Sequence, residues 1–162
     1  MLDVQQIVAG ALEEFEVPLL KYASKILGSQ DLARDMVQET FLRLWKADLE
    51  NIHKYLAPWL YRVCRNLCLD ELRKDKKMSS IIDQPDVKDM EDSNYENLSE
   101  ALNNLPFHHK EVISLKFQSG LSYKEIAKIT GHTPSNVGYL IHNGIKQIKN
   151  IISKNGKLGG RQ

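Results

Sequence analysis

An all-α chain of two small helical domains joined by a flexible acidic linker is predicted by three observations. Apolar residues recur at spacings of three and four, and nowhere do they alternate over a sustained stretch, so helices account for the pattern without strands. Between Ser79 and Asn97 the acidic residues Asp83, Asp86, Asp89, Glu91, Asp92 and Glu96 face a single Lys88, with Pro85 and few large apolar side chains, which is the composition of a linker. Beyond it, Ser122 stands three before Glu125, and Thr133-Pro134 follows Gly131, which punctuates two short helices across a tight turn. The expected division is 1–78, a linker at 79–97, and 98–156.

A chain of 162 residues split this way must build a modest core in each half. The formal net charge is only +1, yet charge is distributed unevenly. From Met1 to Leu20 the charged residues, Asp3, Glu13, Glu14 and Glu16, are all acidic; from Leu140 to Gln162 they are Lys146, Lys149, Lys154, Lys157 and Arg161, all basic. Acidic and basic blocks of this kind suit different partners. No apolar run approaches the roughly 20 residues needed to span a bilayer, and the acidic start lacks the features of a signal peptide, so the expectation is a cytoplasmic chain with no membrane insertion.

The first helix is expected from about Val4 to Leu27, bent or interrupted near Pro18, which cannot donate the helical hydrogen bond. Gly28 and Ser29 end it. The second, about Gln30 to Lys46, carries two stripes: Ala33, Val37, Phe41 and Leu44 point inward, while Asp35, Gln38, Leu42 and Trp45 make another face with Glu39 beside it. A core needs one stripe. The second, acidic and amide-bearing around two large apolar residues, has the look of a partner-binding face, the alternative being a solvated face with a stray tryptophan.

A short polar loop, Glu50 to Lys54, leads into a long helix from about Tyr55 to Lys77, with Pro58 in its first turns. Trp59, Tyr61, Arg62, Arg65 and Asn66 lie within it, and Arg73, Lys74, Lys76 and Lys77 make its end strongly basic. Rings, guanidinium forks and amides on one helix suit a surface that packs and also handles nucleic acid; a core helix with charged flanks is the plainer reading. Cys64 and Cys68, the only cysteines, fall on one face without two further ligands nearby, so burial as small hydrophobes is expected rather than a metal or redox role.

In the second half Leu98, Leu102 and Leu105 are spaced for one apolar face, and Pro106 starts a helix carrying Val112, Ile113, Leu115 and Phe117 that ends near Gly120. Ser122 and Glu125 form a capping box, with Leu121 and Ile126 as a hydrophobic staple, for a helix from Tyr123 to about Ile129. After the Thr130-Gly131-His132 turn, Thr133 caps a last helix with Pro134 in its first turn. Val137, Ile141, Ile145, Ile148 and Ile152 point inward on it, while Ser135, Tyr139, His142, Lys146 and Lys149 point out. Such a helix-turn-helix fits a major groove: Ser135, Asn136 and Tyr139 are placed for base edges, and Lys124, His142, Asn143, Lys146 and Lys149 for phosphates, with Thr133 at the cap.

Three motifs in one order, Asp35-x-x-Gln38-Glu39-x-Phe41, Trp59-Leu60-Tyr61-Arg62-x-x-x-Asn66 and Ser122-Tyr123-x-Glu125-Ile126-Ala127, make the chain resemble the extracytoplasmic-function sigma factors of bacterial RNA polymerase, from about Phe15 to about Ile152. The resemblance implies a sigma region 2 helical bundle followed by a sigma region 4 helix-turn-helix. It implies that Asp35, Gln38, Glu39, Leu42 and Trp45 grip the coiled coil of the polymerase β′ clamp, and that region 4 meets the β flap. It places the melted minus-ten element on Asn51, His53, Lys54 and Tyr55 and on the helix bearing Trp59, Arg62, Arg65, Arg73 and Lys74; for Asn66 and Asp70 the alternative reading is structural, tying that helix to its neighbours. The minus-thirty-five element falls to Lys124, Thr133, Ser135, Asn136, Tyr139, His142, Asn143, Lys146 and Lys149. An anti-sigma factor is an implied partner, and the linker is implied to follow the RNA exit path.

Two departures stand out. The Glu50 to Tyr55 loop lacks the glycine many relatives have, and Gly138, Leu140, Asn143 and Gly144 occupy positions where relatives carry basic or larger polar side chains. Feeble duplex binding by the isolated domain is the consequence expected. No glycine-rich phosphate loop, metal-ligand cluster or nucleophile with a base is visible, so neither an enzyme nor a cofactor is expected. The rival readings are a dimeric helix-turn-helix regulator with an N-terminal sensing domain, which leaves the Asp35 to Trp45 stripe and the Trp59 to Asn66 motif unexplained, and a thiol sensor or metal protein built on Cys64 and Cys68.

Overall fold

A computed structural model of the chain describes residues 3–74 and 98–159, apart from the side chains of Ser99 and of 155–159. The expected linker at 79–97, the continuation of the long helix to Lys77 and the tail side chains beyond Lys154 lie outside the described residues. The elements are α1 (Val4–Leu27), α2 (Gln30–Lys46), α3 (Leu49–Ile52), a 3₁₀ turn (His53–Tyr55), α4 (Leu56–Lys74), α5 (Leu98–Asn103), α6 (Phe107–Phe117), α7 (Tyr123–Thr130) and α8 (Pro134–Gly159). Every element among the described residues is helical, and the chain divides into two compact units, one built on α1 to α4 with which Lys128–Gly131 are grouped, and one on the remainder of α5 to α8.

Local chemistry sets the helix ends of the first unit. Asp3 caps α1 by accepting from the Gln5 N–H at 3.0 Å, and Gly28, at φ +67°, donates to the Ser24 carbonyl at 2.8 Å. Ser29 then caps α2 by accepting from the Leu32 N–H at 3.2 Å. α1 runs unbroken through Pro18, so of the expected bend or interruption there is no interruption. Proline removes the bond to the Glu14 carbonyl, but Glu14 is exposed and water can serve it, while Val8 and Ala11 before the proline and Leu19, Tyr22 and Ala23 after it are all buried and keep both sides helical.

α1, α2 and α4 pack pairwise around Leu19, Ala23, Ala33, Leu44, Leu60, Tyr61, Cys64 and Cys68. The Tyr22 and Tyr61 rings meet edge to face with centroids 5.3 Å apart. Each fully buried leucine in this core contributes about 2 kcal/mol of apolar transfer free energy. Thr40, also buried, donates its hydroxyl to the Met36 carbonyl at 2.7 Å, so no polar group is stranded there. Both cysteines are fully buried and free, and the adjoining Cys64 sulfur together with burial pushes the Cys68 thiol up, away from the reactive thiolate.

The stretch expected as a polar loop is helical. Leu49 and Ile52, buried at a spacing of three, seat α3, and Asn51 donates to the Asp48 carboxylate at 2.6 Å. The polarity of Glu50 to Lys54 hid this turn, because two anchors alone bury it.

In the second unit α8 packs on α6 and α5, and Val112, Leu115, Ile126, Val137, Leu140 and Ile141 are buried. α5 ends at Asn103, which alters the expected leucine face: Leu98 is 61% exposed, Ala101 takes the inward position, and Leu105 is buried in the turn before Pro106. On α8, Ile145 is half-buried and Ile152 is exposed, so the inward stripe thins toward the C-terminus.

Candidate functional site

In the first unit, α2 divides as its periodicity predicts. Ala33, Val37, Phe41 and Leu44 are buried, whereas Leu42 is 57% and Trp45 50% exposed, with Asp35 and Gln38 exposed and Glu39 half-buried beside them. Glu39 accepts from the Arg43 guanidinium at 3.3 Å, an exposed pair one helical turn apart. The outer stripe borders a groove of about 640 Å³ between α2 and α1, and Val8, Leu12, Glu16 and Leu20 supply the α1 wall. Sequence reasoning missed that wall. Its signal was an α1 with more apolar residues than one face requires, including the partly exposed Leu12.

The second candidate surface runs along α4. Trp59, Arg62, Asn66, Asp70 and Arg73 follow one another at spacings of three and four, so they share a face, and Tyr55 precedes it by one turn. Trp59 is half-buried; Tyr55, Arg62, Asn66, Arg73 and Lys74 are exposed. Arg65 does not join them. It is 9% exposed, on the side of the helix that packs with Cys64 and Cys68, which takes it off any surface for DNA. Asn66 and Asp70, which the alternative reading ties to neighbouring helices, face outward instead, and Asp70 accepts from Arg73 of its own helix at 3.4 Å. Lys74 lies 3.7 Å from Glu71.

Near the start of this face, His53 donates through Nδ1 to the Leu49 carbonyl at 2.9 Å, which leaves Nε2 pointing away from the helix turn as its other polar atom. Asn51 is already engaged by Asp48, and Lys54 is exposed. The surface therefore presents two aromatic rings, an exposed guanidinium and an amide in a row, with cations at its far end. Stacked bases and phosphates can both be accommodated by such a row.

In the second unit the caps are made. The Ser122 N–H donates to Glu125 Oε1 at 3.0 Å, and the Glu125 N–H donates to Ser122 Oγ at 3.1 Å; Leu121 and Ile126 are buried beside them. Gly131 turns the chain at φ +83°, and Thr133 Oγ1 accepts from the Asn136 N–H at 3.0 Å to open α8. Ser135, Tyr139, His142, Lys146 and Lys149 are exposed on α8, as are Lys124 on α7 and Thr133 at the cap, so one polar and basic face spans both helices.

Four placements differ from expectation. The half-buried Asn136 turns its amide back to donate to His132 Nδ1 at 3.2 Å, so it buttresses the turn. Leu140 is in the core, and Gly144 is buried where an added Cβ would lie 2.5 Å from Ile113 Cδ1. Neither position belongs to the outward face, so larger polar side chains are excluded there by packing. Asn143, half-buried, donates to the Tyr139 hydroxyl at 3.1 Å while accepting from Gln147 Nε2 at 3.0 Å. Sequence reasoning also missed Tyr123, 41% exposed, with the Lys116 ammonium 5.2 Å from its ring centroid and Gly138 close against its edge.

Among the described residues no group of three or more His, Cys, Asp and Glu is placed to hold a metal, and no helix is long and apolar enough to cross a membrane.

Comparison with known proteins agrees with these two units. A model of Sigma-70 region 2 matches residues 12–78, and one of Sigma-70 region 4 matches residues 95–148. The chain is 30% identical over 146 residues to the ECF RNA polymerase sigma factor SigE of Mycolicibacterium smegmatis, covering 83% of this chain and 57% of that protein's length. It is 32% identical over 128 residues to the ECF RNA polymerase sigma factor EcfG of Rhodopseudomonas palustris, covering 71% of this chain and 68% of that one. Its fold is similar to that of the sigma factor RpoE from Bartonella quintana, solved in complex with the anti-sigma factor NepR, with a TM-score of 0.66 at 20% identity over 90% of this chain and 96% of that. With its two units matched in order by sigma-70 regions 2 and 4, and the Rhodopseudomonas relative covered over two thirds of its length, the chain belongs to the extracytoplasmic-function sigma factor family, through which bacterial RNA polymerase recognises promoters.

Proposed function

We propose that the first unit, at 1–78, docks on the β′ clamp of core RNA polymerase through Asp35, Gln38, Glu39, Leu42 and Trp45, with the α1 wall of the groove receiving apolar side chains of the clamp. The observation that carries this reading is the exposure of Leu42 and Trp45 beside an apolar groove while the opposite face of the same helix is buried. The α4 row then holds the melted minus-ten element: Tyr55 and Trp59 stack on extruded bases, Arg62, Arg73 and Lys74 meet phosphates, and Asn51, His53, Lys54 and Asn66 line its path. Unstacking a base costs a few kcal/mol, roughly what ring stacking on two aromatics returns.

The linker at 79–97 passes along the RNA exit path, and the second unit, at 98–156, reads the minus-thirty-five element as duplex. Ser135 and Tyr139 approach base edges; Lys124, Thr133, His142, Lys146 and Lys149 hold phosphates; Phe117, 63% exposed at the end of α6, is available to the β flap. The work is binding and melting without catalytic chemistry of its own, carried out in the cytoplasm, and an anti-sigma protein such as the one seen with the Bartonella relative holds the chain when it is inactive.

The test is direct. Purified chain added to core RNA polymerase is expected to yield transcripts whose start sites share one upstream pair of elements. A chain that fails to associate with core, yet binds intact duplex tightly by itself, would overturn the reading in favour of a dimeric regulator.

A further inference from the structure

The outward face of α8 carries a hydrogen-bonded ladder at helical spacing: Gln147 Nε2 donates to Asn143 Oδ1 at 3.0 Å, and Asn143 Nδ2 donates to the Tyr139 hydroxyl at 3.1 Å. Residues four apart on a helix are neighbours, so the ladder forms without distorting the backbone. Its consequence lies in the phenol. A tyrosine hydroxyl has one proton to give and lone pairs to accept with. Asn143 occupies its accepting side, so the O–H of Tyr139, a side chain 61% exposed, is the polar function left to face outward. The opposite face of α8 is pinned by Val137, Leu140 and Ile141, so the helix keeps Tyr139 on its outward side.

The geometry points to Tyr139 as a directed hydrogen-bond donor that selects guanine or thymine at one position of the minus-thirty-five element, with Asn143 and Gln147 as its positioning residues. This rests on the promoter reading above. In the major groove guanine presents O6 and thymine O4 as acceptors where adenine and cytosine present an amino donor, whereas N7 is an acceptor on both purines and does not separate them. A donor directed at that O6/O4 position, rather than at N7, pairs with the first two and meets an amino proton of the second two. Exclusion of water on docking strengthens both the ladder and the penalty for a mismatch. Asn143 thereby leaves the set of phosphate contacts, and Gln147, which carries no charge and touches no DNA in this scheme, enters as its support.

The experiment uses holoenzyme reconstituted from the full chain and core RNA polymerase on a promoter library randomised over the minus-thirty-five element, with transcripts sequenced. Wild type is expected to prefer guanine or thymine at one position. Tyr139→Phe keeps the ring and removes the proton, and is expected to flatten that single preference by about fivefold, the factor of one net hydrogen bond, leaving the other positions unchanged. Asn143→Asp keeps the tyrosine but turns its proton inward to a carboxylate, and is expected to flatten the same position; its added negative charge weakens all sequences alike and so leaves the normalised profile unmoved elsewhere. A merely structural role for Asn143 would not reproduce the profile of Tyr139→Phe. The proposal is overturned if the position sensitive to Tyr139→Phe prefers adenine or cytosine, if loss is uniform across sequences as a phosphate contact requires, or if neither variant moves the profile. Wild type without promoter-specific transcripts would overturn the promoter reading and this inference together, while specific transcripts with an unmoved profile would overturn this inference alone.

Discussion

α2 and α8 are both long helices with one face in a core, and they differ in what the other face exposes. On α2 the outer stripe is apolar and acidic, with Leu42 and Trp45 standing beside a groove shared with α1. On α8 it is polar and basic, with Ser135, Tyr139, His142, Lys146 and Lys149 outward and an amide ladder along it. Burial makes each helix part of its domain; the residues left outside decide whether the partner is a protein or a nucleic acid. An exposed tryptophan gains most from a complementary protein surface, whereas lysines at helical spacing gain from phosphates at any sequence.

The sharpest test of this division sets neighbours against each other. Leu44→Ala removes a fully buried side chain and is expected to lower unfolding stability by about 3 kcal/mol, measured by urea denaturation. Trp45→Ala, next in sequence but half exposed, should change stability by less than about 0.5 kcal/mol; equal losses for both would erase the distinction between the two faces. The pair Gln38→Ala with Trp45→Ala is expected next in size, with core polymerase affinity down roughly thirtyfold, as for a truncated hot spot of about 2 kcal/mol, while circular dichroism stays that of the native helices. Undiminished affinity in a competition assay would remove the polymerase from this face.

Gly144→Arg probes the other helix. An arginine there would add a cation to α8, but the position faces Ile113, so about 1–3 kcal/mol of stability should be lost to overpacking and DNA affinity should not rise. A stable variant with tighter duplex binding would show that Gly144 lies on the reading face after all. The smallest effect is Ser122→Ala, which deletes one arm of the capping box and should reduce stability by about 1 kcal/mol, seen as a lower denaturation midpoint. No change would mean that the helix-turn-helix is held by its apolar contacts alone.

Much of both surfaces was legible in advance because their signals are local. Ser122 and Glu125, Thr133 and Pro134, and Gly28 and Gly131 act within four residues, and α2's two stripes follow from periodicity alone. The misreadings came from positions where neighbours in space decide. Arg65 and Asn66 are adjacent and both polar, yet the arginine is buried against the bundle and the asparagine faces out. Glu50 to Lys54 looked like a loop because Leu49 and Ile52, which bury it, are only two residues.

The residue order by itself determined the all-helical class, most helix ends and the presence of two unlike outer faces, since capping bonds and helical periodicity reach no further than a turn of the chain. Tertiary structure alone decided that α1 continues through Pro18, that α1 supplies one wall of the groove beside Trp45, that Arg65 is withdrawn from the α4 surface, and that the space beside Gly144 is filled by Ile113. Each of these depends on which helix packs against which, and burial is a property of the partner's surface as much as of the residue's own.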